Sequence, residues 1–205
     1  MKLQPRAEKT RKKILSAAVE KFAESGFSGT TVEDIAQAAG VNKQRIYAYF
    51  GAKQGLFEAA LLAVFQQIGM CSAEAVKRAG ANPADLSGIM LEEFFRVHQE
   101  QPALWRLLAW ANLENTDSVR ILAGVRREEN AALRKIFESA RSRELMVPMK
   151  FENWLFSLLA LSCFYYSNGR TMQYTHDPEM NDPEWKNALL KDAARLFVPC
   201  EKGRV

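Results

Sequence analysis

The ten residues VNKQRIYAYF (41–50) bring two cations and two tyrosines together in one short stretch. Arg and Gln are well suited to paired hydrogen bonds with guanine and adenine, whereas many contacts from other polar side chains go to the DNA backbone. If the stretch is helical, Lys43, Gln44 and Arg45 occupy the end that contacts base edges, and Tyr47 is placed for the backbone. A solvated basic helix face uses the same residue types, so the surrounding elements must distinguish the two interpretations.

Two short helices joined by a glycine turn are predicted around this stretch. In TTVEDIAQAAG, Thr31 is a good N-cap, Asp34 follows in a capping-box position, and Gly40 ends the helix. Asn42 then caps a helix over residues 43–50. This arrangement is the outline of a helix-turn-helix, which favours DNA over a merely solvated face.

Positive charge is concentrated at the N-terminus of the chain. Residues 1–56 contain ten Lys or Arg and five Asp or Glu, a net charge of +5, whereas the rest contains 18 and 19, a net charge of −1. Such asymmetry indicates a basic module that faces a polyanion, followed by a neutral module with another task.

The periodicity of apolar residues predicts helices almost throughout, so the predicted fold class is all-α. The first helix spans residues 9–25 and is closed by Gly26. After the helix-turn-helix, the predicted helices span residues 53–79, 83–100, 102–112, 117–141, 151–174 and 183–197. The predicted domains are a DNA-binding domain over residues 1–52 and a larger helical domain over residues 53–205.

The cysteines indicate neither a disulfide framework nor a zinc cage, because Cys71, Cys163 and Cys200 are odd in number and widely spaced. Together with the lack of a secretory signal pattern, they favour the cytoplasm. Cys163 is expected in the core, and a redox-sensing role for any of the three stays open. The longest apolar run, residues 154–166, is shorter than the roughly 20 residues that span a bilayer, so no membrane partner is expected.

Catalytic and metal-binding patterns are not found in the sequence. The two histidines, His98 and His176, are far apart, and no glycine-rich phosphate loop is present. We therefore expect no metal, no cofactor and no enzyme activity.

The stretch from Thr10 to Leu62 resembles the DNA-binding domain of the TetR family of bacterial transcriptional regulators. The resemblance lies in ILSAAVEKFAESG of the first helix, TTVEDIAQAAGV of the second helix and turn, YAYF at the end of the third and KQGL at the start of the fourth. It covers about a quarter of the chain. It implies a homodimeric repressor that reads a palindromic DNA operator and binds a small-molecule effector in its larger helical domain.

The positions that contact DNA in this family match seven residues here: Thr31, Lys43, Gln44, Arg45, Tyr47, Tyr49 and Lys53. Small residues are usual in the family where Gln44 and Arg45 stand, and a second tyrosine is common in place of Ala48. The resemblance therefore implies the mode of binding and leaves the operator sequence open.

The resemblance also implies that the last two long helices pair with those of a second copy. The predicted helix over residues 151–174 has apolar residues on more than one face, so it must be covered on several sides. Both helices would show this pattern if they packed only within their own chain. With the resemblance, the expected dimer interface comprises Trp154, Leu158, Leu161, Tyr165, Trp185, Leu189 and Phe197.

The sequence gives the least information about the location of the effector site. Ligand pockets are mostly apolar with a few polar groups, and the middle helices offer such a set, although any helical core would as well. The candidate residues are Phe94, His98, Trp105, Arg106, Trp110, Asn130 and Phe137.

These observations favour a DNA-binding transcriptional regulator, most often a repressor in this family. The alternative is a helical module that binds a ligand or a protein partner and does not read DNA. The effector, the operator and the direction of regulation are left open.

Overall fold

The computed structural model describes residues 5–114, 116–175 and 182–199, without the side chains of residues 5, 67–72, 128 and 129. Its α-helices are α1 (Pro5–Gly29), α2 (Val32–Ala39), α3 (Lys43–Phe50), α4 (Lys53–Ala81), α5 (Leu86–Glu100), α6 (Pro102–Leu113), α7 (Ala123–Ser142), α8 (Phe151–Thr175) and α9 (Pro183–Arg195). Short 3₁₀ helices at Pro83–Asp85 and Asp117–Leu122 precede α5 and α7. The predicted all-α class is confirmed. None of the helices in the described ranges is long and apolar enough to cross a membrane.

The chain forms two compact units. The first comprises Met1–Ile68 and Gln101–Arg126, and the second comprises Gly69–Glu100 and Arg127–Val205. In the first unit α6 packs against α1, whereas the domain boundary predicted from the sequence lies after residue 52.

The core of the first unit is built on α1. Its residues Ile14, Ala18 and Phe22 recur every four positions and are fully buried, as expected for one face of an amphipathic helix. Phe22 meets Phe57 of α4 edge-on, with ring centroids 4.9 Å apart, and Phe27 lies 5.3 Å from the same ring. The start of α4 therefore packs within the first unit.

Gly26 ends the regular part of α1, as predicted. Its φ of 74° and ψ of −177° break the helix, and one further turn continues to Gly29. A Cβ atom at this position would lie 2.8 Å from the Trp110 ring of α6, so both conformation and space require glycine. Beyond the break, the carboxylate of Glu114 accepts hydrogen bonds from the backbone N–H groups of Phe27 and Ser28, each at 2.9 Å.

The second unit has its own core, which is centred on α8. Trp154 is fully buried, and its ring lies 5.2 Å from that of Phe137 of α7. The indole Nε1 of Trp154 donates a hydrogen bond of 2.9 Å to the buried hydroxyl of Ser87 on α5. Helix α5 also packs against α9, so that α8 and α9 are both held by α5.

Candidate nucleic-acid interface

Helix α2 begins with the predicted capping box. The Thr31 hydroxyl accepts a hydrogen bond of 3.1 Å from the Asp34 N–H, and the Asp34 carboxylate accepts one of 3.0 Å from the Thr31 N–H. The Thr31 hydroxyl also donates a hydrogen bond to the Asp34 carboxylate. This bond and the one from the Thr31 N–H hold the pKa of Asp34 below its usual range. On the inner face of α2, Val32, Ile35 and Ala36 are buried. The box therefore fixes where α2 starts and which face turns inward.

The turn between α2 and α3 depends on a glycine with a left-handed backbone. Gly40 has φ 63° and ψ 41°, a conformation that costs most other residues energy. Its N–H donates to Gln37 O at 3.1 Å, and the Val41 N–H donates to Ala36 O at 3.0 Å. This pair of hydrogen bonds is the Schellman ending of a helix, and it directs the chain into α3.

Helix α3 separates its core side from its outer side. The side chain of Asn42 caps the helix by accepting a hydrogen bond of 3.1 Å from the Arg45 N–H, as predicted. Ile46 is fully buried and anchors the helix in the first unit. Gln44 and Arg45 are exposed, and Tyr47 is 44% exposed. The side chains suited to base contacts are thus free to face a ligand outside the protein.

An ion pair joins the outer sides of α2 and α3. Lys43 Nζ lies 2.9 Å from Glu33 Oε1, and both side chains are largely exposed. The hydrogen bond and the charge of Lys43 lower the pKa of Glu33, and Glu33 in turn raises the pKa of Lys43. Lys43 was predicted to face DNA, and in the free protein it has an acidic partner that sequence reasoning did not identify.

The flanks of α3 carry the remaining predicted contacts. Tyr49 is half-buried, with its ring 6.4 Å from that of Phe50. The Lys53 Nζ stands 4.5 Å from the centre of the Phe27 ring, a cation–π geometry that positions the ammonium group. Arg11 of α1, which was not predicted, has its guanidinium 5.2 Å from the Phe50 ring and adds a cation beside the end of α3. In the sequence, Arg11 could have been recognised as a DNA contact only from its position in the basic, amphipathic first helix.

The sequence of the chain matches two known protein families, which together cover most of its length. Residues 14–60 match the bacterial regulatory proteins of the tetR family, and residues 89–196 match the tetracyclin repressor-like C-terminal domain. The chain belongs to the TetR family. It is therefore a transcriptional regulator of a family whose members are not enzymes, as the sequence predicted.

Relatives of this TetR-family chain are also transcriptional regulators. It is 27% identical over 170 residues to the HTH-type transcriptional repressor NicS of Pseudomonas putida, covering 80% of this chain and 78% of that protein. It is 27% identical over 197 residues to the HTH-type transcriptional regulator RutR of Escherichia coli, covering 92% and 88%. To the HTH-type transcriptional repressor SCO4008 of Streptomyces coelicolor it is 34% identical over 107 residues, 52% of each chain.

Solved structures show the same fold. A TetR-family regulator from Marinobacter aquaeolei matches with a TM-score of 0.74 at 20% identity, covering 97% of this chain and 100% of that one. PfmR from Thermus thermophilus matches with a TM-score of 0.70 at 20% identity, covering 94% and 98%. At such identities the likeness establishes the fold and leaves the ligands undetermined.

The predicted effector residues of this TetR-family chain are divided between the two units. Trp105, Arg106 and Trp110 lie in the first unit, whereas Phe94, His98, Asn130 and Phe137 lie in the second. Several of them are occupied by packing within their own unit. Trp110 covers Gly26, and Phe137 is fully buried in the core. The assignment of these residues to one effector site stays a prediction.

The predicted dimer residues fall into two groups. Trp154, Leu158 and Phe197 are 0%, 0% and 4% exposed within the single chain, so they have no surface left for a partner. Their apolar character is explained by the core of the second unit. The other four, Leu161, Tyr165, Trp185 and Leu189, are half-buried.

A different face of α8 is apolar and exposed. Phe156 is 74% exposed and Phe164 is 52% exposed, and Cys163 lies on the same face, contrary to its predicted place in the core. These positions recur at helical spacing, which puts them on one side of α8.

His176, Cys200 and the side chain of Cys71 lie outside the described residues. Within the described residues, no group of His, Cys, Asp and Glu side chains is arranged to hold a metal ion.

Proposed function

We propose that this TetR-family regulator is a repressor that binds a palindromic DNA operator through α3 and is released by a small-molecule effector. The observation that carries the proposal is the division of α3, in which Ile46 is fully buried while Gln44 and Arg45 are exposed at its N-terminal end. A recognition helix in the major groove presents this end to base edges. The relatives NicS and SCO4008 are named repressors, which favours repression over activation.

The proposed contacts divide into two kinds. Gln44 and Arg45 contact base edges and carry the sequence preference, because their side chains form paired hydrogen bonds with adenine and guanine. Lys43 and Tyr47 lie beside them. Thr31, Tyr49 and Lys53 contact the phosphates, together with Arg11, and position the helix without reading sequence.

Binding to a palindrome requires two copies of the chain. Two recognition helices must then enter successive major grooves about 34 to 36 Å apart. We assign the contact between the copies to the exposed apolar face of α8, with Phe156 and Phe164, and to Leu196 after α9, which is 69% exposed. Exposed apolar patches are typical of protein contacts. The protein acts in the cytoplasm, at the nucleoid.

Release by an effector follows from linkage. A ligand lowers operator affinity only if it binds the DNA-incompetent state more tightly than the DNA-bound state. A coupling of about 1 to 3 kcal/mol changes operator affinity about 5- to 150-fold, which is enough for a switch.

The decisive experiment titrates the purified protein against the DNA upstream of its own gene by fluorescence anisotropy at several salt concentrations. We expect sequence-specific binding that weakens with salt. Arg45→Ala is expected to reduce the discrimination between operator and unrelated DNA by about 1 to 3 kcal/mol. Arg195→Ala, at an exposed arginine of α9 paired with Asp192, is the matched control and is expected to bind like the original protein. Equal affinity for operator and unrelated DNA would contradict the proposal and favour a module that does not read DNA.

A further inference from the structure

The second unit contains a pocket that the predicted effector residues do not line. It has a volume of about 530 Å³ and lies between the C-terminal ends of α5 and α8 and the start of α9. Volumes of about 300 to 1,000 Å³ are typical of sites for small molecules. Since α5 packs against both α8 and α9, the walls of the pocket are set by the core of this unit.

Two adjacent tyrosines form the aromatic wall of the pocket. The rings of Tyr165 and Tyr166 meet edge-on, with centroids 5.0 Å apart. Behind them, Tyr165 stacks on Trp185 at 6.2 Å, and Tyr166 stacks on the buried ring of His98 at 5.9 Å. Burial raises the pKa of Tyr165, and burial together with the neighbouring phenol raises the pKa of Tyr166 to about 12. Both tyrosines therefore stay neutral near pH 7 and do not repel an anion.

Two cations from different helices border this wall. Arg170 comes from α8 and Lys186 from α9. Lys186 Nζ donates a hydrogen bond of 2.6 Å to Gln99 Oε1 of α5, which also accepts one of 3.4 Å from the Tyr166 hydroxyl. An amide oxygen is neutral, so it holds the ammonium group in place without cancelling its charge.

Among the described lining residues, one is an acid, and it has another task. The carboxylate of Asp182 accepts a hydrogen bond of 2.9 Å from the Glu184 N–H and so caps α9. Arg170, Lys186 and Asp182 together leave the described lining with one net positive charge.

We propose that this pocket binds a small planar organic anion, such as an aromatic carboxylate, and that this anion is the effector; the second part rests on the proposed function. The ring of the ligand lies against the tyrosines, and its carboxylate accepts hydrogen bonds from Lys186 and Arg170. When the ligand carboxylate replaces the neutral Gln99 oxygen as the acceptor for Lys186, the hydrogen bond of Lys186 becomes stronger. Hydrogen bonds between charged groups are stronger than those to neutral acceptors.

The test of the site uses isothermal titration calorimetry on the full-length protein without DNA. The probes are benzoate and 2-naphthoate, and the controls are the amides of the same acids, which keep the shape and lose the charge. We expect at least one carboxylate to bind with Kd below about 1 mM and at least tenfold more tightly than its amide.

Matched variants locate the site. Lys186→Gln and Arg170→Gln are each expected to weaken carboxylate binding at least tenfold. Lys191→Gln and Arg195→Gln lie on the exposed side of α9, outside this lining, and are expected to leave binding unchanged. A thermal melt of each variant checks that it is folded.

The outcomes separate the two parts of the inference. If neither carboxylate binds, if the amides bind as well, or if the two α9 control variants weaken binding equally, the anion site is refuted. If a carboxylate binds through Lys186 and Arg170 but leaves operator affinity unchanged, the effector role is refuted and the site stands. If the protein binds no operator at all, the proposed repressor function fails, while the calorimetry still decides the site.

Discussion

The carboxylate of Glu114 ties the end of α6 to the segment that leads from α1 into α2. It accepts hydrogen bonds from the N–H groups of Phe27 and Ser28, which lie 87 and 86 residues earlier in the chain. A hydrogen bond to a charged group contributes about 1.5 to 3 kcal/mol when buried. The Phe27 bond is partly buried and the Ser28 bond is exposed, so the second contributes less. We therefore expect Glu114→Ala to lower the free energy of unfolding by about 2 to 3 kcal/mol, an estimate built on that range.

The consequence is measurable in two ways. For a chain of this size, such a loss corresponds to a fall in melting temperature of about 4 to 12 °C. Amide hydrogen exchange gives the local readout, with faster exchange expected at Phe27 and Ser28, whose N–H groups lose their acceptor. Glu114→Gln keeps only one oxygen acceptor, so about half the loss is expected. Glu20→Ala, at an exposed acid of α1, is the control and is expected to stay within about 0.5 kcal/mol.

The reasoning is refuted if Glu114→Ala melts like the Glu20→Ala control. It is also refuted if the melting temperature falls while exchange at the two amides is unchanged, because the loss would then arise elsewhere. Since the tied segment enters α2 directly, operator affinity is expected to fall in parallel with the increase in exchange.

Three further predictions concern the interface, the α2 cap and the dimer. Glu33→Gln releases Lys43 from its ion pair and removes an acidic group near the DNA, so operator affinity measured by anisotropy is expected to increase, with a steeper salt dependence; unchanged affinity would contradict this. Because the folded pKa of Asp34 lies below its ordinary 3.8, its stabilising contribution is complete above that pH and is lost as the pH falls through the lower folded value. The difference in urea midpoint between the original protein and Asp34→Asn should therefore shrink below pH 3.8, and a constant difference would refute the assignment. Phe164→Glu is expected to reduce the mass measured by light scattering from that of two chains to that of one, whereas Leu113→Glu, at a residue 78% exposed in the first unit, should leave it unchanged.

The helix-turn-helix was predictable because its determinants are local. Thr31 and Asp34 form their capping box within four residues, and Gly40 acts through its own backbone conformation. Asn42 likewise caps the helix that follows it directly. Such short-range signals do not depend on the rest of the fold, so the helices and the outward side of α3 followed from the sequence.

The ion pair of Lys43 was not predictable in the same way. Its partner Glu33 lies on the preceding helix, and the two meet only because the turn at Gly40 sets the angle between α2 and α3. The count of charged residues predicted that the surface is positively charged. The ion pair between Lys43 and Glu33, however, depends on the angle between α2 and α3.

For α8, the sequence could not distinguish the core from the surface. Apolar residues surround this helix, so Trp154 and Leu158 were assigned to the dimer contact, although they are fully buried within the chain. Phe156 and Phe164 occupy the face that α5 leaves uncovered. A helix that is apolar on all sides contains no periodic signal for its inner face.

The sequence alone determined the all-α class, the caps of α2 and α3, the basic N-terminal region and the outward side chains of α3, because these depend on neighbouring residues and on composition. Only the tertiary structure decided which helices share a unit, that Glu114 holds the segment after Gly26, and that Lys186 and Arg170 stand beside the same two tyrosines. Those contacts join residues distant in the chain. Their geometry is set by how whole helices pack, which no local pattern encodes.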